Sequence, residues 1–190
     1  MFIQLIMPLI ATSSIASYCL MYTDDAINVP QVSRTANAQI AHNQAKEKNW
    51  VHSDTNYPKN VWFVMFWSID NGDYQGLGHV ALAFLDDNNS LQIHDSEVHR
   101  GAREIYTSLD DLYGWFGSVG TRMTFLGWSE GVDNVKIIDE IKAESEVKEV
   151  KIEVKADKTK EKYEMWKVYA FPFFVYKYES LNKNVFYRID

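Results

Sequence analysis

His79 sits in the run Gly76-Leu77-Gly78-His79-Val80-Ala81-Leu82-Ala83-Phe84, and a second imidazole, His94, follows in Leu91-Gln92-Ile93-His94 after the polar stretch Asp86-Asp87-Asn88-Asn89. Two short apolar runs flanking a cluster of turn formers read as a β-hairpin. With Asp87-Asn88 at the centre of the turn, Phe84 faces Leu91, Leu82 faces Ile93 and Val80 faces Asp95, which makes one apolar face. The other face then carries His79, Ala81, Ala83, Gln92, His94 and Ser96. Two imidazoles on neighbouring strands make this small, polar face a candidate site, because histidine exchanges its proton near neutrality. Gly78 and the two alanines leave room beside His79. The same pattern also fits two histidines on a solvent-facing sheet, and a one-residue slip in register would separate them.

Two other groups have the residue types for chemistry. Gly127-Trp128-Ser129-Glu130-Gly131 matches G-x-S-x-G between an expected strand and an expected helix, as in a serine-hydrolase elbow. That triad runs Ser, acid, His, whereas His42, His52, His79, His94 and His99 all precede Ser129, so a chance pentapeptide in a loop is the simpler reading. His94, Asp95, Glu97 and His99 have zinc-ligand chemistry, but in a strand His94 and His99 point to opposite faces. No metal and no cofactor is called for. Cys19 is the single cysteine, so no internal disulfide can form.

With 190 residues, 46% of them apolar and 14% aromatic, the chain can bury one sizeable core. Its formal charge of −7 argues against a nucleic-acid partner, and the lysines from Lys136 to Lys167 alternate with glutamates as on a solvated face. Residues 1–19 read as a signal-peptide-like segment: the apolar run Phe2 to Ala16 is too short to span a bilayer and ends in the small-x-small pattern Ser14-Ile15-Ala16. Export to a secreted or periplasmic location is therefore expected, with Cys19 near the new N-terminus and no stable membrane span in the mature chain. The bulky Tyr18 argues against lipid modification of Cys19. Residues 20–60 read as a polar linker or pro-like segment with at most a weak helix near Thr35 to Lys48.

The folded part is placed at 61–190, of α+β class, an antiparallel sheet with helices packed on it. Val61 to Trp67 predicts a central strand, the hairpin follows, and Ser108 caps a short helix through Leu112 and Trp115. Arg122 to Trp128 predicts a further strand, Asp133 a helix carrying Val135, Ile138 and Ile141, and Val150 to Val154 a half-buried strand. A last helix is expected from about Asp157 to Ala170, ended by Pro172.

The strand Gly78-His79-Val80-Ala81-Leu82-Ala83-Phe84 resembles the histidine strand of circularly permuted papain-like proteins of the NlpC type, a group of amidases, peptidases and acyltransferases in which the histidine precedes the cysteine. The stretch Tyr176-Lys177-Tyr178-Glu179-Ser180-Leu181-Asn182-Lys183-Asn184 is similar to the approach to that group's nucleophile helix. Here Asn184 is followed by Val185 rather than cysteine. The resemblance implies a catalytic set of His79 as base, His94 as its orienting group and Val185 at the nucleophile position. It therefore implies an exported amidase- or peptidase-type domain, inactive as written, for a peptide, amide or cell-wall substrate. The alternatives are an exported glycan- or peptide-binding module using Trp62, Trp67, Tyr74, Trp115 and Trp128, or a serine hydrolase at Ser129.

Overall fold

The computed structural model describes residues 1–10, 14–99 and 102–141, with the backbone alone at 98–99 and 102–104, and the backbone of three C-terminal strands at 164–170, 173–180 and 183–188. The chain forms two compact units, 1–142 and 143–190.

In the first unit the elements run β1 (Phe2–Gln4), α1 (Cys19–Ala26), α2 (Ala38–Glu47), β2 (Val51–His52), β3 (Trp62–Ile69), β4 (His79–Leu85), β5 (Leu91–His99), β6 (Ala102–Tyr106) and α3 (Leu109–Ser118). They continue as β7 (Met123–Ser129), β8 (Gly131–Val132), β9 (Val135–Lys136) and β10 (Ile138–Glu140). Six strands form one antiparallel sheet in the order β2-β7-β3-β4-β5-β6, and α1 and α2 pack against its middle strands. β3 is central because Phe63 through Trp67 are fully buried, which requires cover on both faces. Truncating a side chain such as Trp67 to alanine in such a strand costs about 3–5 kcal/mol. Ser108 caps α3 as its sequence implies, its hydroxyl accepting from the Asp111 N–H at 3.0 Å.

Several expectations are corrected. Residues 20–60 are not a linker: α1 and α2 bury Leu20, Tyr22, Ala26, Ala38, Ala41 and Ala45 in the core. Small side chains carry this contact, so the stretch has little hydropathy signal; Asn37 caps α2 through the Ile40 N–H at 3.0 Å. Residues 2–4 pair with β10, and Gln4 bridges to Trp62, donating to its carbonyl at 3.3 Å and accepting from its N–H at 2.6 Å. The helix expected from Asp133 is a β8–β9 hairpin instead. Asp133 and Asn134 both have positive φ, +46° and +65°, as a two-residue hairpin turn requires.

The second unit holds β11 (Glu164–Ala170), β12 (Phe173–Ser180) and β13 (Lys183–Arg188) as an antiparallel meander. The helix expected at 157–170 is thus replaced over Glu164–Ala170 by a strand, and the strand expected at Val150 to Val154 lies outside the described residues. Among the described residues no helix is long and apolar enough to cross a membrane.

Candidate active site

β4 and β5 pair with Leu82 opposite His94, Ala83 opposite Ile93 and Leu85 opposite Leu91. The connecting loop has an odd length, residues 86–90, closed by the Asp86 N–H donating to the Ser90 carbonyl at 3.1 Å and the Ser90 N–H to Asp86 Oδ1 at 2.7 Å. The register is therefore one residue off the expected one, and every β5 side chain changes face. His94 lies opposite Leu82 on the face away from His79, edge-on to the Trp62 ring at 5.2 Å. Asp95 takes its place beside His79.

The resulting pair is buried. His79 Nε2 and Asp95 Oδ2 are 3.1 Å apart, with His79 2% exposed and Asp95 fully enclosed. Asp95 Oδ1 accepts the backbone N–H of Glu97 at 2.9 Å, so both carboxylate oxygens are held. Phe116 stands edge-on to the His79 ring at 4.8 Å and Trp67 tilts against it at 5.6 Å, which keeps water away.

The remaining member of the group is Cys19. It is the first residue of α1, 9% exposed, an electrostatic neighbour of the His79 imidazole on the same cleft wall. With Nε2 committed to Asp95, Nδ1 is the ring nitrogen left for the thiol. Burial would push the His79 pKa down, but the neighbouring Cys19 and the Asp95 carboxylate override it and raise the pKa to about 10. As the first residue of α1, Cys19 sits where the helix N–H groups have no intrahelical acceptor.

Two details position this group. A bulkier residue at Gly78 would place its Cβ 2.7 Å from the backbone nitrogen of Gln39, so glycine, at φ +73°, lets α2 close on the start of β4. Ser17 has φ +71°, uncommon for a non-glycine residue, and its N–H donates to Glu97 Oε1 at 2.9 Å. Glu97 thus fixes Asp95 through its backbone and the turn before Cys19 through its side chain. Cys19 and His79 open onto a cleft of about 640 Å³ between α1, α3 and the β3–β4 loop.

Val185 belongs to the second unit. It lies within β13 opposite Tyr178, where a helix start was expected; Val185, Phe186 and Tyr187 are β-branched and aromatic residues that favour a strand. Ser129 ends β7, fully buried, with its hydroxyl donating to the Gly131 carbonyl at 2.8 Å and β8 rather than a helix after it. Of the aromatics considered for glycan contact, Trp67 and Trp128 are core residues, while Tyr74 and Trp115 line the cleft. Sequence reasoning missed Cys19 and Asp95 as site residues: one looked like the end of a leader, the other was assigned to the wrong face. Comparison with protein-family models, with curated proteins and with solved structures finds no match to this chain.

Proposed function

We propose that the protein is a thiol hydrolase of papain-like character acting on an amide or ester, with Cys19 as nucleophile, His79 as acid and base, and Asp95 as the group that orients His79. The observation that carries this reading is a single buried imidazole held between a helix-terminal cysteine and a carboxylate at the wall of a cleft. That constellation is the general requirement for nucleophilic catalysis by cysteine: a thiolate, a base beside it, and a third group fixing the base. The order Cys19, His79, Asp95 is the non-permuted one, so the resemblance of the His79 strand is kept and the role assigned to Val185 passes to Cys19. The domain is then active as written.

In the reaction the Cys19 sulfur attacks the carbonyl carbon and a C–S bond forms. The developing oxyanion lies within reach of the Cys19 backbone N–H, which α1 leaves without an intrahelical acceptor. His79 delivers its proton to the leaving nitrogen or oxygen as the C–N or C–O bond breaks. A water molecule, deprotonated by His79, then hydrolyses the thioester, releases the acid and restores the thiolate–imidazolium pair. The test is to incubate the purified full chain with p-nitrophenyl acetate, quench in acid and map the acyl group by mass spectrometry. Acylation confined to Cys19 is expected; acyl groups on lysines or serines with Cys19 unmodified would contradict the reading.

A further inference from the structure

The cleft beside Cys19 has an unusual wall. Tyr18, Tyr74, Leu77 and Val119 are large apolar residues left between 43% and 57% exposed, and all four line this one cleft. Trp115 and Phe116, from α3, complete the same wall, with Phe116 in ring contact with His79. Scattered apolar residues are ordinary on a protein surface, but a contiguous set beside a nucleophile marks where substrate sits.

The charges around the cleft point the same way. Among the described residues lining it, Arg34 is the only arginine or lysine, and its guanidinium is bound to Asp25 at 2.7 Å. Asp24, also on the lining, is almost wholly buried and keeps its proton up to about pH 8, because burial and then the neighbouring Asp133 disfavour its charge. The positive charge on His79 is matched by the Asp95 carboxylate 3.1 Å away. The Glu97 carboxylate, held by the Ser17 N–H, is the remaining formal charge, and it is negative. The cleft therefore offers no free cation to an anionic substrate group.

Building on the thiol-hydrolase reading, we propose that this cleft takes an uncharged amide or ester whose acyl group is a bulky apolar chain, seated against Leu77, Val119, Tyr74 and Trp115. The acyl carbon comes to the Cys19 sulfur, the apolar chain lies along the wall, and the leaving group departs with the proton from His79.

The experiment compares p-nitrophenyl acetate, p-nitrophenyl hexanoate and the anionic mono-p-nitrophenyl glutarate as substrates of the full chain. Each methylene that finds an apolar wall adds selectivity, so kcat/KM for hexanoate should exceed that for acetate by at least ~10-fold, and glutarate should fall back toward acetate. Leu77→Asp and Val119→Asp, both at solvent-exposed positions, should each bring the hexanoate-to-acetate ratio toward one. Equal kcat/KM for acetate and hexanoate with Cys19 still acylated would overturn the apolar class and leave the nucleophile standing. Faster turnover of glutarate than of hexanoate would overturn it in favour of an anionic acyl group. An equal ratio in a chain that elutes as a dimer and becomes a monomer on Leu77→Asp would assign the wall to self-association instead. No acylation of Cys19 by any of the three would overturn both this proposal and the reading it rests on.

Discussion

Asp95 does two separable things for His79: its oxygen fixes the ring through Nε2, and its charge helps hold the ring protonated despite burial. Substitution tells them apart. Asp95→Asn keeps an oxygen acceptor and should retain turnover of p-nitrophenyl acetate within about 10-fold, with the upper limb of the pH–rate profile moved to lower pH; Asp95→Ala loses both functions and should fall about 100-fold or more. Equal loss in the two variants would mean that orientation is not what Asp95 provides. Asp24 is another buried acid, and its pKa is raised from 3.8 to about 8 by burial and by Asp133. The native state therefore holds this proton more tightly than the unfolded chain, so the associated stability is present at acid pH and is lost as pH rises from about 4 through 8. Asp24→Asn, uncharged at every pH, should flatten the decline of Tm across that interval. Parallel Tm curves for the two proteins would remove Asp24 from the account.

At the scale of elements, what was legible in the sequence was what hydropathy and turn chemistry encode strongly. β3 reads from its continuous apolar run, the β4–β5 hairpin from its polar interruption, and α3 from the Ser108 cap and its following glycines. The register of the hairpin was not legible, because the five polar residues 86–90 fit a two-residue turn as readily as the observed odd loop. Within that loop Asn89 takes a left-handed φ of +61°, which asparagine tolerates. This single slip exchanged His94 for Asp95 at the site. α1 was hidden for another reason: its buried residues carry little hydropathic contrast, and Phe2–Gln4, the strand before it, pairs with β10. Gln4 holds that strand by donating to the Ile6, Trp62 and Ile137 carbonyls and accepting the Trp62 N–H. Gln4→Ala should cost about 1–3 kcal/mol in urea unfolding, since partly buried backbone groups lose their partner. A change within a few tenths would show that β1 contributes little.

Across the first unit, an antiparallel sheet sets Asp95 beside His79, and the N-terminus of α1 brings Cys19 to the wall of the same cleft. Residues distant in the chain converge because Gly78 admits α2 and the Ser17–Glu97 hydrogen bond ties the approach to α1 onto β5. The chemistry was half legible: His79 stood out on its strand, while its partners depended on register and on a helix with little hydropathic contrast. The central claim is that Cys19 and His79 form a reactive ion pair, and the rate of carbamidomethylation of Cys19 by iodoacetamide at pH 7 tests it most directly. A free thiol is mostly protonated at that pH, whereas a thiolate paired with an imidazolium is not. The account predicts that Cys19 reacts at least ~10-fold faster than N-acetylcysteine and that His79→Ala abolishes the excess; a Cys19 rate equal to that of the free thiol, or one indifferent to His79→Ala, would contradict it.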